Sequence, residues 1–171
     1  AVLCVLEVPG ETVMAAAERT RGFFASNLAP ALPVPADLIA RADLIVVNEG
    51  EAADYGAALT GCNGLIATTF GGRGAQLMRG GSIVAEGAPP KIEPVDTVGA
   101  GDAYTAALTD AMLEGRPPGE ALAKSTASIR PIHSRQRRSV GRSSSSRSNK
   151  TSALWSGRRS ASALIRSPRK V

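Results

Sequence analysis

Aromatic side chains are scarce in this chain: one tryptophan, two tyrosines and three phenylalanines, 4% of 171 residues. The hydrophobic content is nevertheless 43%, and the length suffices for one domain with a core. Cysteine is nearly absent. Cys4 lies in a strand-like run and Cys62 in a turn, too few for a disulfide framework or a metal quartet. A reducing, cytoplasmic location is the default such usage implies. The single histidine, His133, falls in an aberrant stretch and receives no role. No apolar run approaches the roughly 20 residues of a membrane span, so no membrane partner is expected. The start, Ala1–Leu6, lacks a basic leader and is broken by Glu7 and Pro9, so no signal peptide is expected. It also lacks methionine, which leaves room for a start outside this sequence.

Acid is missing too, but only from one end. Beyond Glu120 there is no aspartate or glutamate, while residues 125–171 hold ten arginines, two lysines and fourteen serines. Residues 1–124 hold eight basic and all fifteen acidic side chains. The formal net charge of +5 thus averages an acidic part with a strongly basic one. Two segments follow: 1–124, which reads as part of an enzyme, and 125–171, a basic Ser/Arg-rich tail. The tail's few apolar residues have no sustained period and cannot offset the conformational entropy of folding, so disorder is expected. One reading of it is a nucleic-acid tail, its arginines on phosphates and Trp155 stacked on a base. The other is the product of a shifted reading frame in a GC-rich gene.

The remainder alternates strand and helix signals. Ala1–Leu6 is a continuous apolar run of strand length, Thr12–Arg21 an alanine-rich helix and Pro35–Arg41 a short helix. Leu44–Val47 reads as a buried strand, Glu49–Leu59 as a helix ending at Gly61, and Leu65–Thr68 as a strand. Ser82–Ala85 reads as a strand after the Gly80-Gly81 turn. Such alternation implies an α/β fold on a parallel sheet with right-handed crossovers. Its chemistry belongs at strand carboxyl ends, where Asn48, Thr69 and Gly99 fall.

The most informative stretch is Asp96-Thr-Val-Gly-Ala-Gly-Asp102. It opens a run with apolar residues at Tyr104, Ala107, Leu108, Ala111 and Met112, the period of an amphipathic helix, which stops at Gly115 before Pro117 and Pro118. Gly99, Ala100 and Gly101 can turn tightly and present their N–H groups at the positive end of the helix dipole, an anion site. Asp102 repels an anion already there. It makes sense as a base that takes the proton of a hydroxyl attacking phosphorus. The plain alternative is an acidic N-terminal cap.

This string, with Ala-Tyr-Thr-Ala-Ala-Leu after it, resembles the C-terminal signature of the PfkB carbohydrate kinase family, which includes ribokinase. The resemblance covers Ala1 to about Ser128. Val5–Ala17 is similar to a segment carrying a sugar-contacting glutamate, which implies substrate binding by Glu7. Asn27–Ala31 is similar to the loop after the next strand. Asn48-Glu-Gly-Glu resembles the family's Asn-x-x-Glu pattern. It implies ATP binding by Asn48 and magnesium held through water by Glu51. Thr69, Phe70, Gly71, Gly72, Arg73 and Gly74 resemble the nucleotide-binding turn, with Arg73 near the phosphates. Asp96 and Val98 inherit a monovalent cation, potassium. The implied reaction is ATP-dependent: Asp102 is the base, and the N–H groups of Gly99, Ala100 and Gly101 stabilise the transferring γ-phosphoryl group. A sugar such as ribose accepts it, and family members are often homodimers.

Each assignment has a plainer counterpart. Asn48 and Glu51 could simply start a helix, Thr69–Gly74 could be a plain glycine hairpin, and Glu7 a surface charge. Against the family pattern, the N-terminal half and the lid over the sugar are missing. Only Cys62, Asn63 and Gly64 separate Gly61 from Leu65, where relatives have a whole helix. That puts the strand at Leu65 in doubt, since a parallel crossover needs a dozen or more residues. The expectation is a partial ribokinase-like sheet, truncated and inactive as it stands. The alternative is a non-catalytic remnant whose tail binds polyanions such as nucleic acid.

Overall fold

The structure, a computed structural model, describes residues 1–88 and 99–128. Asp96, Val98, His133 and Trp155 lie outside the described residues. In chain order the elements are β1 (Val2–Val5), α1 (Gly10–Arg19), β2 (Phe24–Asn27), α2 (Ala36–Arg41), β3 (Leu44–Asn48) and α3 (Glu49–Tyr55). A 3-10 turn (Gly56–Gly61), β4 (Leu65–Thr69), a short 3-10 turn (Gly71–Arg73), β5 (Ala75–Arg79) and β6 (Ser82–Gly87) follow. The described part closes with α4 (Ala100–Leu113) and α5 (Pro118–Ser128).

The sheet order is β1-β2-β3-β4-β5-β6. The first four strands are parallel, β5 runs antiparallel to β4, and β6, antiparallel to β5, returns to the direction of the first four. The parallel sheet with flanking helices expected from the alternation is present in β1 to β4, and a hairpin extends it into a mixed sheet. The reason is loop length. Five residues from Phe70 to Gly74 join β4 to β5, and Gly80-Gly81 joins β5 to β6, far too few for a crossover.

The doubt about Leu65 is also resolved. Its strand pairs in parallel with β3, Leu44 against Leu65 through Asn48 against Thr69. The crossover is made by α3 together with the 3-10 turn, so no additional helix is needed between Gly61 and Leu65. The helix expected over Glu49–Leu59 tightens after Tyr55, at Gly56, whose φ of 47° interrupts α-helical geometry. Near that junction Gly64 passes so close to Asp43 that a Cβ would sit 2.3 Å from its carbonyl oxygen.

Period-two alternation sorts the strand side chains onto two helical layers. Phe24, Ile45 and Val47 pack with Val13 and Ala17 of α1, Leu38 and Ile39 of α2, and Leu59. Ala25, Leu44, Val46, Leu65, Ala67 and Leu77 pack with Tyr104, Leu108 and Ala111 of α4 and Leu122 of α5. Burial of each large aliphatic side chain contributes about 1.5–3 kcal/mol, so the core is mostly aliphatic, with Phe24 and Tyr104 as its fully buried aromatics. At the amino ends of the strands, Arg41 donates to Asp43 and to the Thr20 and Gly22 carbonyls, and Asp43 accepts the Phe24 N–H at 2.8 Å.

β2 (Phe24–Asn27) was implied only by the family resemblance, and two further elements exceed the sequence reading. β5 was not singled out, because its Ala-Gln-Leu-Met-Arg carries weak β-propensity; antiparallel pairing on both sides makes it a strand. α5 continues through Ser125 to Ser128, so the compositional boundary at Ser125 falls inside a helix. Ser125 and Thr126 are buried, and their hydroxyls donate to the Leu122 carbonyl, each at 2.9 Å. The disorder expected from Ser125 onward therefore does not hold for 125–128.

Candidate active site

Asn48 and Thr69 end neighbouring parallel strands and stand opposite one another in register. The carboxyl edge of the sheet thus brings the Asn-x-x-Glu segment and the glycine turn side by side. Asn48 caps α3: its Oδ1 accepts the Glu51 N–H at 2.8 Å, and the Glu51 carboxylate accepts the Asn48 N–H at 2.7 Å. That reciprocal capping box is the plain helix-start reading of these two residues. One Glu51 oxygen stays without a partner among the described residues, so a water-mediated role is compatible with the cap.

The stretch from Thr69 to Gly74 is indeed a hairpin connection. The Phe70 N–H donates to the Gly74 carbonyl at 2.8 Å, and the Gly74 N–H to the Gly71 carbonyl at 3.1 Å. Gly74 sits at φ 107°, and a Cβ there would lie 2.1 Å from the Gly87 carbonyl oxygen. This close approach seats the turn against the end of β6. Arg73 leaves the turn toward α3, where it pairs with Glu49, and its guanidinium lies 5.5 Å from the Phe70 ring centroid.

The signature forms the opposing wall. Gly99 is the N-cap of α4, in the left-handed region at φ 74°, and among the described residues no side chain caps the helix. The N-cap position is thus taken by Gly99, and Asp102 stands exposed in the first turn, where an acid also suits the helix dipole as the plain alternative has it. A hollow of about 120 Å³ lies between the two walls, lined by Thr69, Gly71, Gly74, Ala100, Gly101 and Tyr104, with Ala75 and Thr126 completing it. It has room for a phosphoryl-sized group rather than a whole nucleotide.

Tyr104 and Thr126 were missed as wall residues. Tyr104 reads in sequence only as one apolar position of the α4 face. Thr126 lies past the compositional break, although Ala121, Leu122, Ser125 and Thr126 keep helical spacing. Tyr104 is 1% exposed, and its hydroxyl has no hydrogen-bond partner among the described residues, although the Ser125 hydroxyl lies nearby. Burial pushes its phenol up to about 12, with Ser125 offsetting the rise in part. A raised phenol favours the neutral folded state. Its contribution is complete below the ordinary value near 10 and is lost as pH climbs toward 12. Tyr104→Phe should accordingly flatten the fall in melting temperature between pH 10 and 12; an unchanged slope would contradict this.

Glu7 is not brought to the hollow. It is exposed after β1, three strands from Thr69, or about 14 Å across the sheet. Gly72 is exposed in the turn without lining the hollow. Among the described residues no group of three or more acidic, histidine or cysteine side chains could hold a metal, and no helix is long and apolar enough to cross a membrane.

This architecture recurs in solved structures. Ribokinase from Thermotoga maritima matches with a TM-score of 0.65 and 25% identity, over 74% of this chain and 48% of that one. Arabidopsis thaliana ribokinase, complexed with ribose and ATP, matches at 0.67 and 25%, over 75% and 47%. A nucleoside kinase from Methanocaldococcus jannaschii, at 17% identity and a TM-score of 0.65, shares the fold. The chain spans about half the length of the structures it matches. The fold is thus ribokinase-like and partial. The family model for pfkB carbohydrate kinases matches residues 1–129, the whole described part with its turn and signature, and the chain belongs to that family.

Proposed function

We propose that this chain carries the phosphoryl-donor side of an ATP-dependent sugar kinase, which moves the γ-phosphoryl group to a hydroxyl of a sugar such as ribose. Gly101 carries the argument. It is helical, and a Cβ built on it meets nothing within 4 Å among the described residues. Alanine would fit and would favour the helix by up to ~1 kcal/mol, so the fold supplies no reason for glycine. A ligand that must come close to the backbone does.

In this reading the N–H groups of Gly99, Ala100 and Gly101 hold charge on the transferring phosphoryl oxygens. Asp102 accepts the proton of the sugar hydroxyl as its oxygen bonds to phosphorus and the bond to the ADP oxygen breaks. Thr69 to Gly74 support the phosphate chain from the facing wall, and Asn48 lies beside them. Magnesium would neutralise phosphate charge. The single free oxygen of Glu51 suits an ion that keeps its waters and arrives on the nucleotide. Asp96 and Val98 remain the candidates for potassium, and Glu7 for the sugar. The family match and the ATP and ribose held by the Arabidopsis enzyme support this reading.

Gly101→Ala separates the two explanations of that glycine. The melting temperature should rise by a few degrees, while the shift that ATP induces at the Gly74 amide in nuclear magnetic resonance spectra should be lost. Higher stability with unchanged ATP response would defeat the close-approach argument.

A further inference from the structure

The Glu49–Arg73 ion pair is the one side-chain bridge between the α3 terminus and the glycine turn among the described residues. Both partners are largely exposed, with 61% of the Glu49 and 69% of the Arg73 side chain open to solvent. An exposed pair is weak and yields readily to a stronger partner. Arg73 sits between Gly71 and Gly74, both of which line the hollow facing the α4 N–H groups. Its exposed guanidinium lines the adjoining hollow with Phe70 and Gln76, on the same turn as Gly71 and Gly74, and Glu49 occupies it.

We propose that Glu49 is a charge gate on the phosphoryl donor: its carboxylate holds Arg73 in the unliganded protein and yields it to an incoming polyphosphate chain. The proposal rests on the donor-site reading above. Glu49 thereby sets selectivity by charge. A nucleoside triphosphate or inorganic tripolyphosphate carries enough charge to take Arg73, whereas a nucleoside monophosphate does not. Because the carboxylate occupies the guanidinium, removing it frees Arg73 and strengthens donor binding.

The test uses the full chain labelled with ¹⁵N-glycine, following the Gly74 and Gly101 amides so that anion binding elsewhere is not counted. Tripolyphosphate, ATP and AMP are titrated at low and at high salt. Glu49→Gln should tighten tripolyphosphate and ATP by roughly two- to five-fold at low salt, the range of one exposed pair, and AMP much less. The gain should shrink at high salt. Arg73→Gln should weaken both polyphosphates, and in that background Glu49→Gln should bring no gain, because the gate acts through Arg73. Glu49→Ala serves as a second variant, and thermal melts confirm that each folds.

Unchanged or weaker binding in Glu49→Gln overturns the gate, as does an equal gain with Arg73 absent, which would mean simple repulsion. Either result leaves the donor-site reading standing if the Gly101 amide of the native chain still responds. If neither amide moves with ATP or tripolyphosphate, the donor-site reading fails and the gate with it.

Discussion

Joined to the N-terminal half of an active ribokinase, this chain should lose phosphoryl transfer to ribose by about 10²–10⁴-fold when Asp102 becomes asparagine. The geometry explains why the loss should fall on kcat. Asp102 is exposed in the first turn of α4, and among the described residues no side chain caps that helix, so the carboxylate has no capping hydrogen bond there to forfeit. Asparagine keeps its size and its compatibility with a helix start, so folding should hardly change. Removing a negative charge beside the α4 N–H groups should leave ATP binding equal or tighter. A drop in kcat with unimpaired ATP affinity is the signature of a lost base rather than a damaged site. A variant as active as its parent would remove Asp102 from the mechanism, and an equal loss of ATP affinity would make it a binding residue instead.

Gly74→Ala should be among the most destabilising single substitutions in the described part, by about 2–6 kcal/mol. Two costs combine. The backbone at φ 107° is strained for any residue with a Cβ, about 1–3 kcal/mol. The added methyl would also lie 2.1 Å from the Gly87 carbonyl oxygen and 2.9 Å from the Ala88 Cα. Those are backbone atoms, which cannot rotate away, and overpacking of this kind costs a further 1–3 kcal/mol or so. Such a total is a large share of the 5–15 kcal/mol that typically separates folded from unfolded states. Gly71→Ala is the control. It shares a positive φ, 58°, but meets nothing within 4 Å, so only the strain should appear. Urea denaturation of both variants measures the difference; equal losses would refute the close-approach argument for Gly74.

Most strands and helices were readable because their signals are local. Val2–Val5 and Leu44–Asn48 are apolar runs, and α4 announces itself by period and by its stop at Gly115. β5 was not readable, since Ala75–Arg79 is held by its partners rather than by its own residues. α5 was obscured by the serines that begin the basic segment, although Ser125 is buried and hydrogen-bonded to the turn before it. In the site, the chemistry of Asp102 and the glycine turn could be anticipated from residue types. The facing of Gly71 and Gly74 on Ala100 and Gly101 could not, because it spans nearly thirty residues of chain.

What the sequence by itself determined here is therefore local: which segments pair or coil, where α4 begins, and which residues can accept a proton or bare their N–H groups. The tertiary structure alone decided that the sheet is mixed, that Asn48 stands beside Thr69, that Arg73 meets Glu49, and that Tyr104 and Thr126 wall the hollow. The physical reason is the range of the forces involved. Helical hydrogen bonds and caps join residues three or four apart, so a short window records them. Strand register and helix-on-sheet packing join residues far apart in the chain, and they are settled only when both faces of the sheet are buried together.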